Sequence, residues 1–219
     1  MPSTFEIFNE AKEAIKWFTF KRERIALSGE KGPIIGIRGF GGGWPKDMVK
    51  YFSENNYAGV FMNLGLQTGS IDSYVETIKK EVETFHNPVI IGFSMGGLIA
   101  LRYLQTHGRD KIDTLITVGS PFNGVEVLKM IHWLGGMYSD LAPSSNLLNE
   151  LKNLKIPGVR VVNVFASWDQ FVGNPDNISV TGKKIVLPVV GHNNLVNKVG
   201  YIAPFLDKLL GLNNQIIWI

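Results

Sequence analysis

The sequence predicts an α/β fold, a mostly parallel sheet of about six strands flanked by helices. Short apolar runs of strand length recur along the chain, and helical patterns alternate with them, which is how buried parallel strands joined by crossover helices read. With 219 residues, 45% hydrophobic and 19% charged, the chain is large and apolar enough for one core. A single domain over residues 1–219 is expected.

The elements follow in order. After Thr4, a candidate cap, Phe5, Phe8, Ala11, Ile15 and Phe18 recur at helical spacing and predict an amphipathic opening helix. Strand runs come at Ile34–Ile37, Ala58–Leu64, Val89–Gly92, Leu115–Val118, Val159–Ala166 and Ile185–Val190. Between them, Pro45 suits a first helical turn, Ser70–Phe85 carries Ile71, Tyr74, Val75, Ile78, Val82 and Phe85 on one stripe, and Leu98–Leu104 continues as a helix. No internal repeat or low-complexity linker interrupts the series.

One stretch breaks the rhythm. About forty residues separate Val118 from Val159, too many for an ordinary crossover loop. Within it, residues 123–155 carry Leu128, Ile131, Trp133, Leu134, Leu147, Leu148 and Leu151, with Gly135-Gly136 and Pro143 as breaks. Two short amphipathic helices forming a small helical lid insertion are expected there.

Charge and composition narrow the chemistry. The formal charge of +3 arises from 22 basic and 19 acidic residues, and the basic ones are scattered singly or in pairs such as Lys79-Lys80. No nucleic acid partner is expected. The absence of cysteine excludes a thiol nucleophile, a disulfide framework and a Cys-based zinc site. Glu6, Glu10, Lys12, Glu13 and Lys16 interrupt the N-terminus, so it does not read as a signal peptide. No run reaches the roughly 20 apolar residues of a membrane span. The expected location is cytoplasmic, with no stable membrane insertion and at most transient lipid-surface contact. The greasy tail Gln215–Ile219 is expected to pack.

The chemistry-bearing motif is Gly92-Phe93-Ser94-Met95-Gly96. A bare Gly-x-Ser-x-Gly is weak evidence, but here it follows the strand run Val89-Ile90-Ile91 and opens onto the pattern Gly97–Leu104. Strand, turn and helix together make the setting of a nucleophile elbow. Gly92 and Gly96 are small where strand and helix crowd together. Ser94 then sits at a helix N-terminus, where backbone N–H groups favour an oxyanion.

A serine hydroxyl needs a base, usually histidine. His86 precedes the strand before Ser94 and His107 ends the helix after it, so both belong at the opposite sheet edge; His132 lies in the insertion. His192 follows the last strand run, which puts it at the same carboxyl edge as Ser94. The orienting acid should also follow a strand, between the two in sequence. Asp169 in Ser167-Trp168-Asp169-Gln170 fits, whereas Gly119–Gly124 has no carboxylate and Asp176 lies further from its strand. A second oxyanion donor is expected from Arg38-Gly39-Phe40-Gly41-Gly42-Gly43-Trp44, giving the backbone N–H groups of Phe40 and Met95 as the oxyanion hole. The glycines do not read as a phosphate loop, since no Lys-Ser or Lys-Thr pair follows.

These segments resemble the bacterial and archaeal triacylglycerol lipase and carboxylesterase group of the α/β-hydrolase superfamily. Arg38-Gly39-Phe40-Gly41-Gly42 is similar to their His-Gly-x-Gly-Gly loop, and Gly92–Gly97 to their elbow. Gly119-Ser120-Pro121-Phe122-Asn123-Gly124 is similar to Gly-Thr-Pro-His-x-Gly, and Asp140–Leu148 to Asp-Leu-x-Pro-Gly-Ser-x-Phe-Leu. Ser167-Trp168-Asp169 and Gly191–Leu195 match the acid and base segments. The sequence departs from that group at Arg38 and Phe122, which stand where histidines are usual. Arg38 is expected either to brace the loop by pairing with a carboxylate or to meet an anionic part of a substrate.

The resemblance implies an α/β-hydrolase fold and a serine hydrolase cleaving carboxylic esters, an esterase or lipase, with Ser94, His192 and Asp169 as the triad. A small-molecule ester or lipid is the expected substrate, with Trp44 and Phe122 in its binding pocket and no cofactor or metal required. An acyltransferase, thioesterase or amidase using the same triad, or a catalytically silent fold that binds a lipid or partner, are the alternatives.

Overall fold

The computed structural model describes residues 21–143 and 145–211. The expected opening helix and the tail Gln215–Ile219 lie outside the described residues. The sheet has seven strands: β1 (Arg22–Ser28), β2 (Lys31–Ile37), β3 (Tyr57–Leu64), β4 (Val89–Phe93), β5 (Thr114–Val118), β6 (Arg160–Trp168) and β7 (Lys183–Val190). Their order is β1-β3-β2-β4-β5-β6-β7. β1 runs antiparallel to β3 and the other neighbours are parallel.

The six expected strands are all present, and β1 adds a seventh. Its sequence, Arg-Glu-Arg-Ile-Ala-Leu-Ser, is an edge strand on which only Leu27 is buried. A solvated edge needs charged residues to discourage pairing with other chains, and these mask the apolar signal. β7 at the other edge opens likewise with Lys183-Lys184.

Period-two alternation divides the core between the two faces of the sheet. Ile35, Ile37, Val60, Met62, Ile90 and Leu115 pack on one face under α2 (Ile71–Thr84) and α3 (Met95–His107). Ile34, Phe61, Ile91, Ile116, Val162 and Val164 face the other way, toward α1 (Lys46–Glu54) and α7 (Val199–Gly211). Buried on both faces, the central strands read as continuous apolar runs. The helix boundaries follow local chemistry. Ser70 is the N-cap of α2 and accepts from the Ser73 amide, while Pro45 is the N-cap of α1, one position before the expected first turn.

Between β5 and β6 the chain forms two 3-10 turns, Glu126–Met130 and His132–Leu134, then the short helices α4 (Met137–Asp140) and α5 (Asn146–Lys152). The first half is therefore 3-10 where an α-helix was expected. Ile131 leaves helical geometry at φ −128°, and Gly135 and Gly136 take positive φ, so no run is long enough to propagate an α-helix. The second half is pinned to the body. Asp140 Oδ2 accepts from the Ile71 amide at 2.7 Å at the start of α2, and Arg102 on α3 pairs with Glu150 on α5 at 3.1 Å. Burial raises the Asp140 carboxyl above its ordinary pKa, while the Ile71 amide and Arg102 act in the opposite direction. Among the described residues, no helix is long and apolar enough to cross a membrane. After β7 come α6 (Asn194–Asn197) and α7.

Ser145 caps α5 by accepting from the Leu148 amide at 3.1 Å, and its hydroxyl donates to the Asp140 carbonyl at 2.7 Å. Ser145→Ala removes both bonds, so urea unfolding should show a loss of about 1 kcal/mol.

Candidate active site

The site begins with a backbone constraint. Ser94 joins β4 to α3 with φ 55° and ψ −128°, a left-handed conformation that costs a non-glycine residue roughly 1–3 kcal/mol. Three hydrogen bonds offset this cost. The Ser94 amide donates to the Val118 carbonyl at 2.8 Å, and the Ser94 carbonyl accepts from the Gly97 amide at 3.1 Å and from Ser120 Oγ at 2.8 Å. At about 1 kcal/mol each, they suffice to hold the turn. Its side chain makes no cap bond to the helix. Ser94 is half-buried, at the mouth of a cavity of about 380 Å³.

Only glycine permits the approach behind this turn. A Cβ on Gly92 would come within 2.5 Å of the Gly97 nitrogen, and one on Gly96 would strike the Ile37 carbonyl. These are backbone atoms that cannot rotate away. On the other side, a Cβ on Gly39 would lie 2.7 Å from Ser94 Cβ and 3.1 Å from the Met95 nitrogen, so the glycine loop after β2 touches the elbow. Phe40 and Met95 both line the cavity. Met95 opens α3, where an amide has no partner inside the helix.

His192 and Asp169 form a buried pair. Asp169 Oδ2 lies 2.7 Å from His192 Nδ1, while its Oδ1 accepts from the amides of Phe171 at 2.8 Å and Val172 at 3.0 Å. A carboxylate can only accept, so Nδ1 carries the proton and Nε2 is left as the basic nitrogen. The ring stands beside the elbow: its centroid is 4.8 Å from that of Phe93, the residue before Ser94. Phe171 meets it edge-on at 5.2 Å, and the His192 amide donates to Gln170 Oε1 at 3.1 Å. Ser94 and His192 line the same cavity. The other histidines stand elsewhere. His86 is exposed before β4, His107 at the end of α3 faces Glu76 at 3.3 Å, and His132 bonds the Lys129 carbonyl. Asp176 is exposed in a 3-10 turn.

Trp44 and Phe122, expected in the substrate pocket, are corrected. Trp44 packs edge-on against Phe61 at 4.9 Å and donates its indole N–H to the Met62 carbonyl at 3.1 Å. Phe122 is fully buried, with its ring 6.3 Å from that of Phe165. Aromatic residues beside a glycine loop have a core to fill as well as a pocket, and here the core claims them. The apolar wall comes instead from Phe93, Val125, Leu128, Met137, Leu141 and Phe171. Four of these belong to the stretch between β5 and β6, and only the folded chain brings that stretch over Ser94.

Arg38, 2% exposed, also lines the cavity. Its guanidinium lies 4.1 Å from the centre of the Phe93 ring and 5.9 Å from that of Trp44. Cation–π contact in a desolvated place is worth about 2 kcal/mol. A chain of ring contacts therefore runs from Arg38 through Phe93 to His192, whose ring is tilted 46° from that of Phe93. The sequence carries no periodic signal for it, nor for the parts Gln170 and Phe171 play around His192. Among the described residues, no group of three or more His, Asp or Glu is placed to hold a metal ion.

Gly92→Ala should destabilise the fold by about 1–3 kcal/mol through overpacking against backbone that cannot yield. Thermal unfolding of the variant beside Gly32→Ala, whose Cβ would meet nothing within 4 Å and whose φ is not positive, isolates this crowding.

The fold is shared with solved α/β-hydrolases of low identity. An α/β-hydrolase from a lagoon-sediment metagenome of Mar Chica, Morocco, superposes with a TM-score of 0.65 at 18% identity, covering 89% of this chain and 96% of that one. The esterase EaEST from Exiguobacterium antarcticum gives 0.61 at 16%, covering 89% and 99%. A monoacylglycerol lipase from Paleococcus ferrophilus gives 0.63 at 13%, covering 87% and 98%. No curated protein matches the sequence. The family model for palmitoyl protein thioesterase matches residues 46–170, more than half of the chain, and that span holds both Ser94 and Asp169. By that match the chain belongs to the palmitoyl protein thioesterase family, within the α/β-hydrolase superfamily.

Proposed function

We propose that the protein is a serine hydrolase that cleaves acyl esters through Ser94, His192 and Asp169. The observation that carries this reading is the Asp169–His192 pair, buried at 2.7 Å and opening onto the same apolar cavity as a strained, half-buried serine. Strain at a polar residue in a pocket marks a position that the surrounding structure maintains for chemistry.

In the proposed reaction, Ser94 Oγ attacks the acyl carbonyl and His192 Nε2 takes its proton. The carbonyl electrons move to oxygen, where the amides of Phe40 and Met95 stabilise the oxyanion. The tetrahedral intermediate collapses, the bond to the leaving group breaks, and His192 returns the proton to that group. Water, deprotonated by His192, then attacks the acyl-serine; the bond to Ser94 Oγ breaks, the acid leaves and His192 returns the proton to Oγ. Asp169 holds the imidazole tautomer and stabilises the imidazolium. Its second oxygen is occupied by two backbone amides, so the carboxylate has little freedom to turn away. The apolar walls suit an acyl chain, and Val125, Leu128, Met137 and Leu141 from the stretch between β5 and β6 cover it.

A thioester is the second reading, favoured by the family match. The acylation chemistry is common to both, and the leaving group alone differs. Initial rates on paired oxygen esters and thioesters, from acetyl to palmitoyl, decide between them. We expect kcat/KM to rise with acyl length, and a palmitoyl thioester preferred by more than about tenfold over its oxygen ester would assign the thioester.

Ser94→Ala is expected to abolish turnover and labelling by a fluorophosphonate probe. Asp169→Asn should keep the fold and lower kcat by on the order of 10⁴, through the wrong histidine tautomer. A Ser94→Ala protein with undiminished turnover would end the assignment.

A further inference from the structure

The first 3-10 turn after β5 is apolar on two sides, and only one has a core to pack against. In a 3-10 helix, residues three apart lie on one side. Leu128 is buried and Ile131 packs against the core, whereas Val127 and Met130 point outward, 62% and 79% exposed. The second turn continues the outward series with Trp133 and Leu134, 73% and 52% exposed. Four large apolar side chains thus stand in solvent within eight residues.

We propose that this ridge is a lipid-docking surface that seats the cavity mouth against a bilayer. It deepens the acyl-cleaving function proposed above and rests on that reading for its substrate. Three observations select a lipid surface as the occupant. The ridge runs into the mouth, since Val127 lines the cavity together with Phe40 and Phe171, themselves 37% and 45% exposed. A protein docked there would stand over the opening, whereas a bilayer holds acyl chains at that point. The ridge offers on the order of 500 Å², short of the ~800 Å² that each partner of a stable complex contributes. Its composition is that of an interfacial anchor: an exposed tryptophan, whose ring seats at the headgroup level, flanked by flexible and branched aliphatic groups. Lys129, the cation on the first turn, is paired with Glu126 at 2.6 Å. Attachment is therefore by apolar insertion, and salt has little effect on it.

The test uses the full chain carrying Ser94→Ala, so that binding is read without turnover. Cosedimentation with phosphatidylcholine vesicles is expected, at similar levels in low and high salt. Adding Met130→Ser and Trp133→Ser should weaken binding about tenfold or more, and the same pair in the Ser94 protein should leave hydrolysis of a short water-soluble ester within about twofold. Brominated phosphatidylcholine should quench tryptophan emission, and the conservative Trp133→Phe should remove that quenching. Equal vesicle binding with and without the ridge, no binding by the parent, or a dimer that Met130→Ser/Trp133→Ser dissociates would each overturn the proposal. Vesicle binding that depends on the ridge in a protein with no esterase activity would leave the docking standing and remove the proposed reaction.

Discussion

The close approach of α3 to β4 governs most of what surrounds Ser94. Because Gly92, Gly96 and Gly97 carry no side chains, the helix starts almost in contact with the strand it follows, and the connecting residue must take a left-handed conformation. That conformation is costly for serine. It persists because β5 and the loop after it supply hydrogen bonds on both sides, from the Val118 carbonyl and from the buried Ser120 hydroxyl. A parallel sheet order that places β5 beside β4 is what makes those partners available. The turn is thus a property of the whole sheet rather than of five residues.

The same sheet order gathers the other groups. β2, β4, β6 and β7 all end at one edge, so the glycine loop, Ser94, Asp169 and His192 emerge together although they span more than 150 positions of sequence. Asp169 is held by two amides and by His192, and His192 in turn is flanked by Phe93 and Phe171. Under the proposed mechanism this packing does for the imidazole what the hydrogen bonds do for the serine: it limits each group to one orientation. Phe93 links the two halves, with His192 on one face of the site and the Arg38 guanidinium stacked nearby. Arg38, expected either to brace the loop by pairing with a carboxylate or to meet an anionic part of a substrate, lines the cavity and lies beside the Phe93 and Trp44 rings.

The stretch between β5 and β6 divides into two parts with different physics. Its second half is tied down by Asp140, Glu150 and the buried Leu148 and Leu151. Its first half contributes Leu128 to the cavity wall and turns Met130 and Trp133 to solvent. A segment anchored at one end and apolar on both sides at the other suits a wall that also meets lipid.

The sequence alone determined the class of fold, because six strand runs and their intervening helical stripes are local periodicities that burial on both faces makes strong. It also determined which serine, histidine and aspartate reach one sheet edge, since that follows from chain order once each is assigned to the end of a strand. It did not reveal β1, whose charges answer to a solvated edge, nor the 3-10 form of the turns after β5. It misplaced Trp44 and Phe122, because an aromatic residue near a functional loop has the same local signature whether it lines a pocket or fills the core. Only the tertiary structure decided those placements, along with the stack of Arg38 on Phe93 and the position of Phe171 against His192. These are contacts between segments distant in sequence, where no local pattern records which neighbour a side chain will meet.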